Sequence, residues 1–342
     1  MTKQVFPFNV GFDCGNGLVK LKISGHGHDF DYIRFPSYFV DVTKCHNDHQ
    51  GKTRVSYITA PENNKYAKSL ENKVWVCGND ASVLDVRDQV FDNRSDGKVK
   101  LSLPLFLSAV GQLPLTRKHW EFRLVASIHD AEVFGDQMKA NLEGKHLVNI
   151  NGQLTTVVIH VVKIFDEGYI FKPVGKGNTT LLDIGNGTTI ITRFDSEGNV
   201  IFRSIPYKFG VQHLYKKIYD HTTLRAIGLD RDLDLIRRGV ENPDTEKIFY
   251  GIGKGAINIT SAYKESLKDW SVLYLKEPIA EVDKFQLQGD RVVVVGGGAC
   301  LPFLSKNFEK KGYIFNAQAP FMNVKKLHEY ACNSLSAESV EV

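Results

Sequence analysis

Hydrophobic residues in this chain fall into short alternating or β-branched runs, parted by turns rich in glycine and asparagine. Val5 to Phe12 and Leu18 to Ile23 flank Asp13-Cys14-Gly15-Asn16-Gly17, a pattern that predicts strand, tight turn, strand. A polar Gly-containing turn, Ser24 to Asp29, then leads into a third apolar run from Tyr32 to Pro36, which completes a three-stranded meander. The same succession returns later. Thr180 to Leu182, then Asp183-Ile184-Gly185-Asn186-Gly187, then Thr188 to Phe194 repeat the hairpin 170 residues on (183 minus 13). Asp195 to Asn199 and Val200 to Pro206 supply its turn and third strand. A self-similarity at half the chain length predicts two related lobes.

Between the copies, Val42 to Gly97 carries polar clusters at His46 to Arg54, Pro61 to Lys65 and Asn93 to Gly97, which predict surface loops on a small insertion. Val99 to Val110 and Glu132 to Leu142 have helical spacing, whereas Glu121 to Ile128 and the β-branched Thr155 to Phe165 predict buried strands. In the second half, Gly210 to Tyr219 predicts a helix and Leu229 to Trp270 a mostly helical stretch. Arg291 to Val295 predicts a short buried strand, Asn323 to Ala331 a closing helix, and Ser334 to Val342 a frayed tail.

Composition narrows the class. A chain of 342 residues exceeds one comfortable core and suits two lobes of about 150 residues each. Hydrophobic and charged fractions of 42% and 24% argue against disorder, a coiled coil or a fibre. The net charge of +4, without a basic run interleaved with aromatics, argues against direct nucleic-acid binding. Cys14, Cys45, Cys77, Cys300 and Cys332 form no CxxC pair and fit reduced thiols, hence a cytoplasmic setting. No export signal is read at Met1 to Val10, and the run from Leu103 to Leu115 is too short and proline-broken to act as a membrane span.

Candidate chemistry sits in the turns. Gly15 and Gly17, like Gly185 and Gly187, let backbone N–H groups approach an anion with no Cβ in the way. Asp13 and Asp183 carry the same sign as a phosphate, so their natural role is to hold magnesium, directly or through water. One such turn alone is adequately explained as a good hairpin; two matching copies favour a pair of phosphate-gripping loops. Val292 to Val295 runs into Gly296-Gly297-Gly298-Ala299, at the sheet edge where α/β folds accept ligands, and a purine or ribose could lie flat there. Cys45, His46, Asp48 and His49 lack a second pair to complete a zinc site, and the charged stretch Leu229 to Arg238 reads as a solvated helix face.

Two glycine hairpins followed by a late GGGA turn, in that order, resemble the actin, DnaK-type chaperone and sugar-kinase superfamily over essentially the whole chain. The resemblance implies an α/β actin-like ATPase fold, with two ribonuclease-H-like lobes around a nucleotide cleft, each carrying a small inserted subdomain. It implies lobe I at 1–177, with an insertion at about 37–98 and completion by the C-terminal helix 323–342. Lobe II would be 178–322, with an insertion at about 215–285. Asp13 to Lys20 is similar to the first phosphate motif of actins, with Lys20 where a lysine reaches the β- and γ-phosphates of ATP. On this likeness Gly15, Asn16, Gly17, Gly185, Asn186, Gly187 and Thr188 grip phosphate, and Asp13 and Asp183 serve the metal and catalysis. Gly296, Gly297, Gly298 and Ala299 contact the nucleoside. In such proteins a strand ends at a glutamate that orients the attacking water; Glu167 is assigned that role, with Asp166 beside it as the competing carboxylate.

Ile205 to Gly210 and Gln318 to Leu327 are similar to segments of the plasmid-segregation actins of the ParM and StbA type. That likeness implies magnesium-dependent ATP hydrolysis by a homopolymeric filament. It also implies plasmid DNA reached through an adaptor of the ParR type, with no direct nucleic-acid contact and no membrane. The alternatives on the same fold are a small-molecule kinase, which needs an acceptor pocket and its base, and a chaperone-type ATPase, which needs a client-binding domain.

Overall fold

The computed structural model describes residues 7–44, 53–84, 87–90, 96–171, 177–226, 232–242, 247–251, 253–315 and 318–338. They divide into two compact units, Met1–Ile170 with Asn323–Val342, and Phe171–Met322. Cys45, His46, Asp48 and His49 lie outside the described residues.

The first unit is built on a mixed sheet. Its leading strands are β1 (Phe8–Cys14), β2 (Leu18–Gly25), β3 (His28–Asp29), β4 (Ile33–Pro36), β5 (Tyr38–Asp41), β6 (Arg54–Thr59), β7 (Val74–Cys77) and β8 (Asp88–Gln89). They are followed by β9 (His119–Ile128), β10 (Gly144–Ile150) and β11 (Gln153–Asp166). Among the described residues the order is β3-β2-β1-β9-β11-β10-β6-β7-β5-β8, with β4 also paired to β2. The strand β1 runs antiparallel to β2 and parallel to β9, which in turn runs parallel to β11. That central position explains its composition: Val10, Phe12 and Cys14 are buried on one face, and Gly11 lies against a helix on the other. The helices are α1 (Lys65–Lys68), α2 (Asn79–Ser82), α3 (Gly97–Val110) and α4 (Ala131–Leu142). The strands β6 and β7 lie within the segment whose polar clusters predicted loops: Val55, Tyr57 and Trp75 are buried, and long-range pairing of their strands outweighs the polar flanks.

The second unit repeats the arrangement on a smaller scale. Its main strands are β12 (Thr179–Ile184), β13 (Thr189–Phe194) and β14 (Val200–Arg203). Helices α5 (Val211–Asp220), α6 (Thr222–Arg225) and α7 (Leu233–Glu241) precede a short ribbon of β15 (Phe249–Tyr250) and β16 (Ile257–Asn258). Then come α8 (Thr260–Trp270), α9 (Lys276–Leu287), β17 (Arg291–Val295), α10 (Leu304–Lys310) and β18 (Ile314–Phe315). The sheet order is β14-β13-β12-β17-β18, with β12, β17 and β18 parallel. Both units therefore place a three-strand meander beside two further parallel strands. The mostly helical stretch expected from Leu229 to Trp270 is interrupted by the β15–β16 ribbon. Gly251 and Gly253, at φ 86° and 76°, turn the chain there in a conformation side chains resist.

The last helix, α11 (Met322–Glu338), joins the first unit from Asn323 onward. It continues past Ala331, where a frayed tail was expected to begin at Ser334. Burial of Leu327 and Ala331, and a 3.0 Å bond from Arg123 Nη2 to Ser334 Oγ, hold it to the sheet. A Cβ on Gly11 would meet the backbone nitrogen of His328 at 2.5 Å, so the helix can lie this close to β1 only over a glycine.

Candidate functional site

In the first unit, the pairing of β1 with β2 stops at Cys14 and Val19, leaving a four-residue loop from Gly15 to Leu18. A Cβ on Gly15 would stand 2.6 Å from the Leu18 carbonyl oxygen, so the turn closes only around a glycine. Ser37 braces it: its hydroxyl donates to the Gly15 carbonyl at 2.5 Å and its N–H to that of Gly17 at 3.1 Å. The carbonyl of Asn16 accepts from the Gln89 side chain at 3.5 Å. Register sets Lys20 directly across from Asp13, and its Nζ lies 3.2 Å from Asp13 Oδ2. Asp13 is only 6% exposed.

Two further groups complete this cluster. Lys98, in the first turn of α3, forms an ion pair with Glu167, which follows the end of β11. Burial alone would push the Lys98 ammonium down, but Glu167 and Asp13 hold it above its ordinary value. Burial pushes the Cys14 thiol up to about 12, so it stays neutral and is no nucleophile. Glu167 and Asp166 have different duties. Asp166 Oδ1 accepts from the backbone N–H of Ala131 at 2.7 Å, and Asp130 caps the same helix through Val133 N at 3.1 Å. Asp166 is thus engaged at the start of α4, while Glu167 is held by Lys98 and, through its own N–H, by the Ile128 carbonyl at 2.9 Å.

In the second unit, β12 and β13 part at Ile184 and Thr189, leaving Gly185 to Thr188 as a loop of the same length. Gly185 N donates to the Thr188 carbonyl at 2.8 Å. The loop is tied to the start of α5: Val211 N donates to the Gly185 carbonyl at 3.1 Å and Gln212 N to that of Asn186 at 2.9 Å. Asn186 Nδ2 also donates to Gln212 Oε1 at 3.1 Å, and Trp270 Nε1 holds the Gly210 carbonyl at 3.2 Å. Gly296, at φ 84°, brings the GGGA turn against this hairpin; a Cβ there would lie 2.5 Å from the Ile184 carbonyl oxygen. Nothing lies within 4 Å of the Cβ position of Gly297, so that face of the turn is open.

The first unit therefore gathers Asp13, Gly15, Asn16, Gly17, Lys20 and Glu167 with Lys98 among them. The second gathers Asp183, Gly185, Asn186, Gly187, Thr188, Gly296, Gly297, Gly298 and Ala299. Sequence reasoning missed Lys98, Ser37 and Gln212. Lys98 and Lys100 look alike in the string Gly97-Lys98-Val99-Lys100, and only packing separates them: Lys98 is 3% exposed, whereas Lys100 is open to solvent. Among the described residues no three His, Cys, Asp or Glu side chains cluster to hold a metal by themselves. A divalent cation beside Asp13 or Asp183 would need oxygens from its ligand and water, as magnesium on a phosphate chain ordinarily has. No helix among the described residues is long and apolar enough to cross a membrane.

A repeated meander with two added parallel strands, each with an aspartate-bearing glycine loop at the end of its first strand, is the arrangement of the actin-like fold. Residues 11–169 match the family of actin-like proteins, N-terminal domain. Among solved structures the chain is similar to a Bacillus thuringiensis ParM with AMPPNP, at 16% identity and TM-score 0.66, covering 96% of this chain and 99% of that one. An archaeal actin homolog matches at 15% identity and TM-score 0.66, over 95% of this chain and 99% of its own. A Bacillus thuringiensis ParM hybrid with ADP, containing two ParM mutants, matches at 15% identity and TM-score 0.68; it covers 98% of this chain, which spans 50% of the hybrid's length. No curated protein matches by sequence.

Proposed function

We propose that this chain is an ATPase that binds magnesium-ATP and assembles into nucleotide-dependent filaments. The observation that carries the reading is the pair of four-residue Gly-Asn-Gly loops, each following a strand-end aspartate, the first with a partly buried Asp13–Lys20 ion pair. Backbone N–H groups of Gly15 to Gly17 and of Asn186 to Thr188 bind the phosphates, and Lys20 offsets the charge that grows on them as the terminal bond breaks. In each unit the strand-end aspartate, Asp13 in the first and Asp183 in the second, is the carboxylate that would serve magnesium, which when bound would supply positive charge at the phosphate oxygens. Gly296 to Ala299, open at Gly297, receives the nucleoside. Glu167 orients the attacking water by accepting its hydrogen bond. The ParM structures similar to this chain with AMPPNP and with ADP support a nucleotide as the ligand.

The filament reading extends the same likeness. Identical subunits joined head to tail need a heterologous contact that does not close on itself. Plasmid DNA would be moved through a ParR-type adaptor, in keeping with a net charge of only +4.

Sedimentation with ATP, GTP and ADP tests the proposal. Assembly that pellets with ATP and disperses as phosphate is released is the expected result. Phosphate transfer to a small hydroxyl compound without pelleting would replace it with the kinase reading. Glu167→Ala should slow phosphate release while leaving ATP-dependent assembly intact, and the reverse outcome counts against Glu167.

A further inference from the structure

Lys98 has no part in the reading above, and nothing local accounts for its position. It stands in the first turn of α3, where the helix dipole disfavours a cation, and at 3% exposure its ammonium has lost its water. Two residues on, Lys100 shows the ordinary arrangement, in solvent and 2.7 Å from Asp96. A lysine kept inside against both effects needs compensation. Here that is the Glu167 carboxylate in direct contact, with Asp13 within reach of its field. The Lys98 side chain thereby links the carboxylate after β11 to the end of β1, where the first loop begins.

We propose that Lys98 is the positioning residue for Glu167: its ammonium keeps that carboxylate ionised and aimed in one direction beside the first loop. The inference rests on the hydrolytic role proposed for Glu167 and goes beyond it by assigning what sets the charge and orientation of that group. Among the described residues, the titratable groups whose charge couples to the pair include Asp13 and Cys14 of β1 and His129 between β9 and α4, and His129 in turn feels Asp130 and Asp166. Cys14 is a neutral thiol, His129 is held below its ordinary value by burial and by Lys98, and Asp166 is bonded to Ala131. Among these groups Lys98 brings the positive charge. A carboxylate so held accepts a hydrogen bond from water in a single orientation, and misplacement by about 1 Å costs on the order of 100-fold in rate.

The test compares Lys98→Met, Lys98→Arg and the double variant Lys98→Met/Glu167→Gln with the parent chain. Carbon-13 NMR of the glutamate carboxyls, with Glu167 assigned by its loss in Glu167→Gln, reads the ionisation without nucleotide. In Lys98→Met its midpoint should move up by about one pH unit or more, because an unpaired buried carboxylate resists ionisation. ATP turnover should fall about 100-fold in kcat with KM changed less than about threefold, the acid limb of turnover should rise with the titration, and Lys98→Arg should recover most of the loss. An unmoved Glu167 midpoint in Lys98→Met overturns the proposal. So does unchanged kcat in that variant. A parent chain that binds ATP and releases no phosphate removes the hydrolytic reading itself, and is told apart because the parent, not the variant, fails. If Lys98→Met does not fold, a double variant that folds like the parent supports the pairing, since it removes both charges together, and Lys98→Arg then carries the kinetic comparison. Failure of the double variant as well assigns Lys98 to packing alone and overturns the proposal.

Discussion

The two hairpins share a loop of the same length and the same Gly-Asn-Gly core, yet they differ at the residue facing the aspartate. Across from Asp13 stands Lys20, in an ion pair; across from Asp183 stands Ile190, 2% exposed. The first loop is braced by the side chain of Ser37 and ringed by charge, with Lys98 and Glu167 close by. The second is braced by the N-terminus of α5, through Val211 and Gln212, and by a glycine turn packed on Ile184. One scaffold therefore carries two loops in different surroundings: the first ringed by side-chain charge, the second set on an apolar hairpin.

The contrast can be broken most sharply at the paired positions. Ile190→Ala should lower unfolding free energy by about 2–4 kcal/mol in a denaturant titration, because it empties a packed site. The matching Lys20→Ala should change it by less than about 1 kcal/mol, as an ion pair retaining some exposure ordinarily does. Equal losses at the two positions would erase the distinction.

Acid should separate the units next. His146, in the first unit, donates from Nε2 to the Leu142 carbonyl at 3.0 Å and accepts at Nδ1 from the Tyr57 hydroxyl at 2.5 Å. Burial pulls its pKa down to about 4, against the weaker upward pull of the Leu142 bond. From its ordinary value near 6.5 down to about 4, the unfolded chain binds a proton that the folded chain refuses. Stability present above about pH 6.5 is therefore lost on the way down to about pH 4, by about 3 kcal/mol in all. Hydrogen exchange at pH 5 should show β6 and β10 losing protection before β12 and β13, and His146→Gln should flatten that dependence. Loss in both units together would contradict it.

Ligand binding reports on the charge itself. Lys20→Ala should weaken magnesium-ATP binding about 10- to 100-fold by calorimetry, the usual worth of one charge-assisted contact. Ile190→Ala should leave the affinity of the folded fraction within about threefold. The smallest effect concerns the brace of the second loop: Asn186→Ala removes the 3.1 Å bond to Gln212 and should lower stability by about 1 kcal/mol. No change in melting would mean that the backbone bonds from Val211 and Gln212 suffice.

Much of the scaffold was legible in the residue string. Alternation and Asn-Gly turns revealed both meanders, since period and turn chemistry act over a few neighbouring residues. The strands β6 and β7 were hidden, because their stability comes from partners far along the chain rather than from their polar surroundings. The interruption after α7 was hidden too, because glycines at positive φ mattered more there than helical spacing. Within the site, the two carboxylates Asp166 and Glu167 could not be told apart by order alone. A 2.7 Å bond to Ala131 engages the first, and Lys98 takes the second.

By itself the amino-acid order determined that two alike hairpins exist, and where each aspartate and glycine falls, because those are local consequences of spacing. Only the folded chain decided which charges lose their water and meet. Lys98 and Lys100 are the same residue two places apart, and nothing but the packing of α3 beside β1 turns one of them into the buried partner of Glu167.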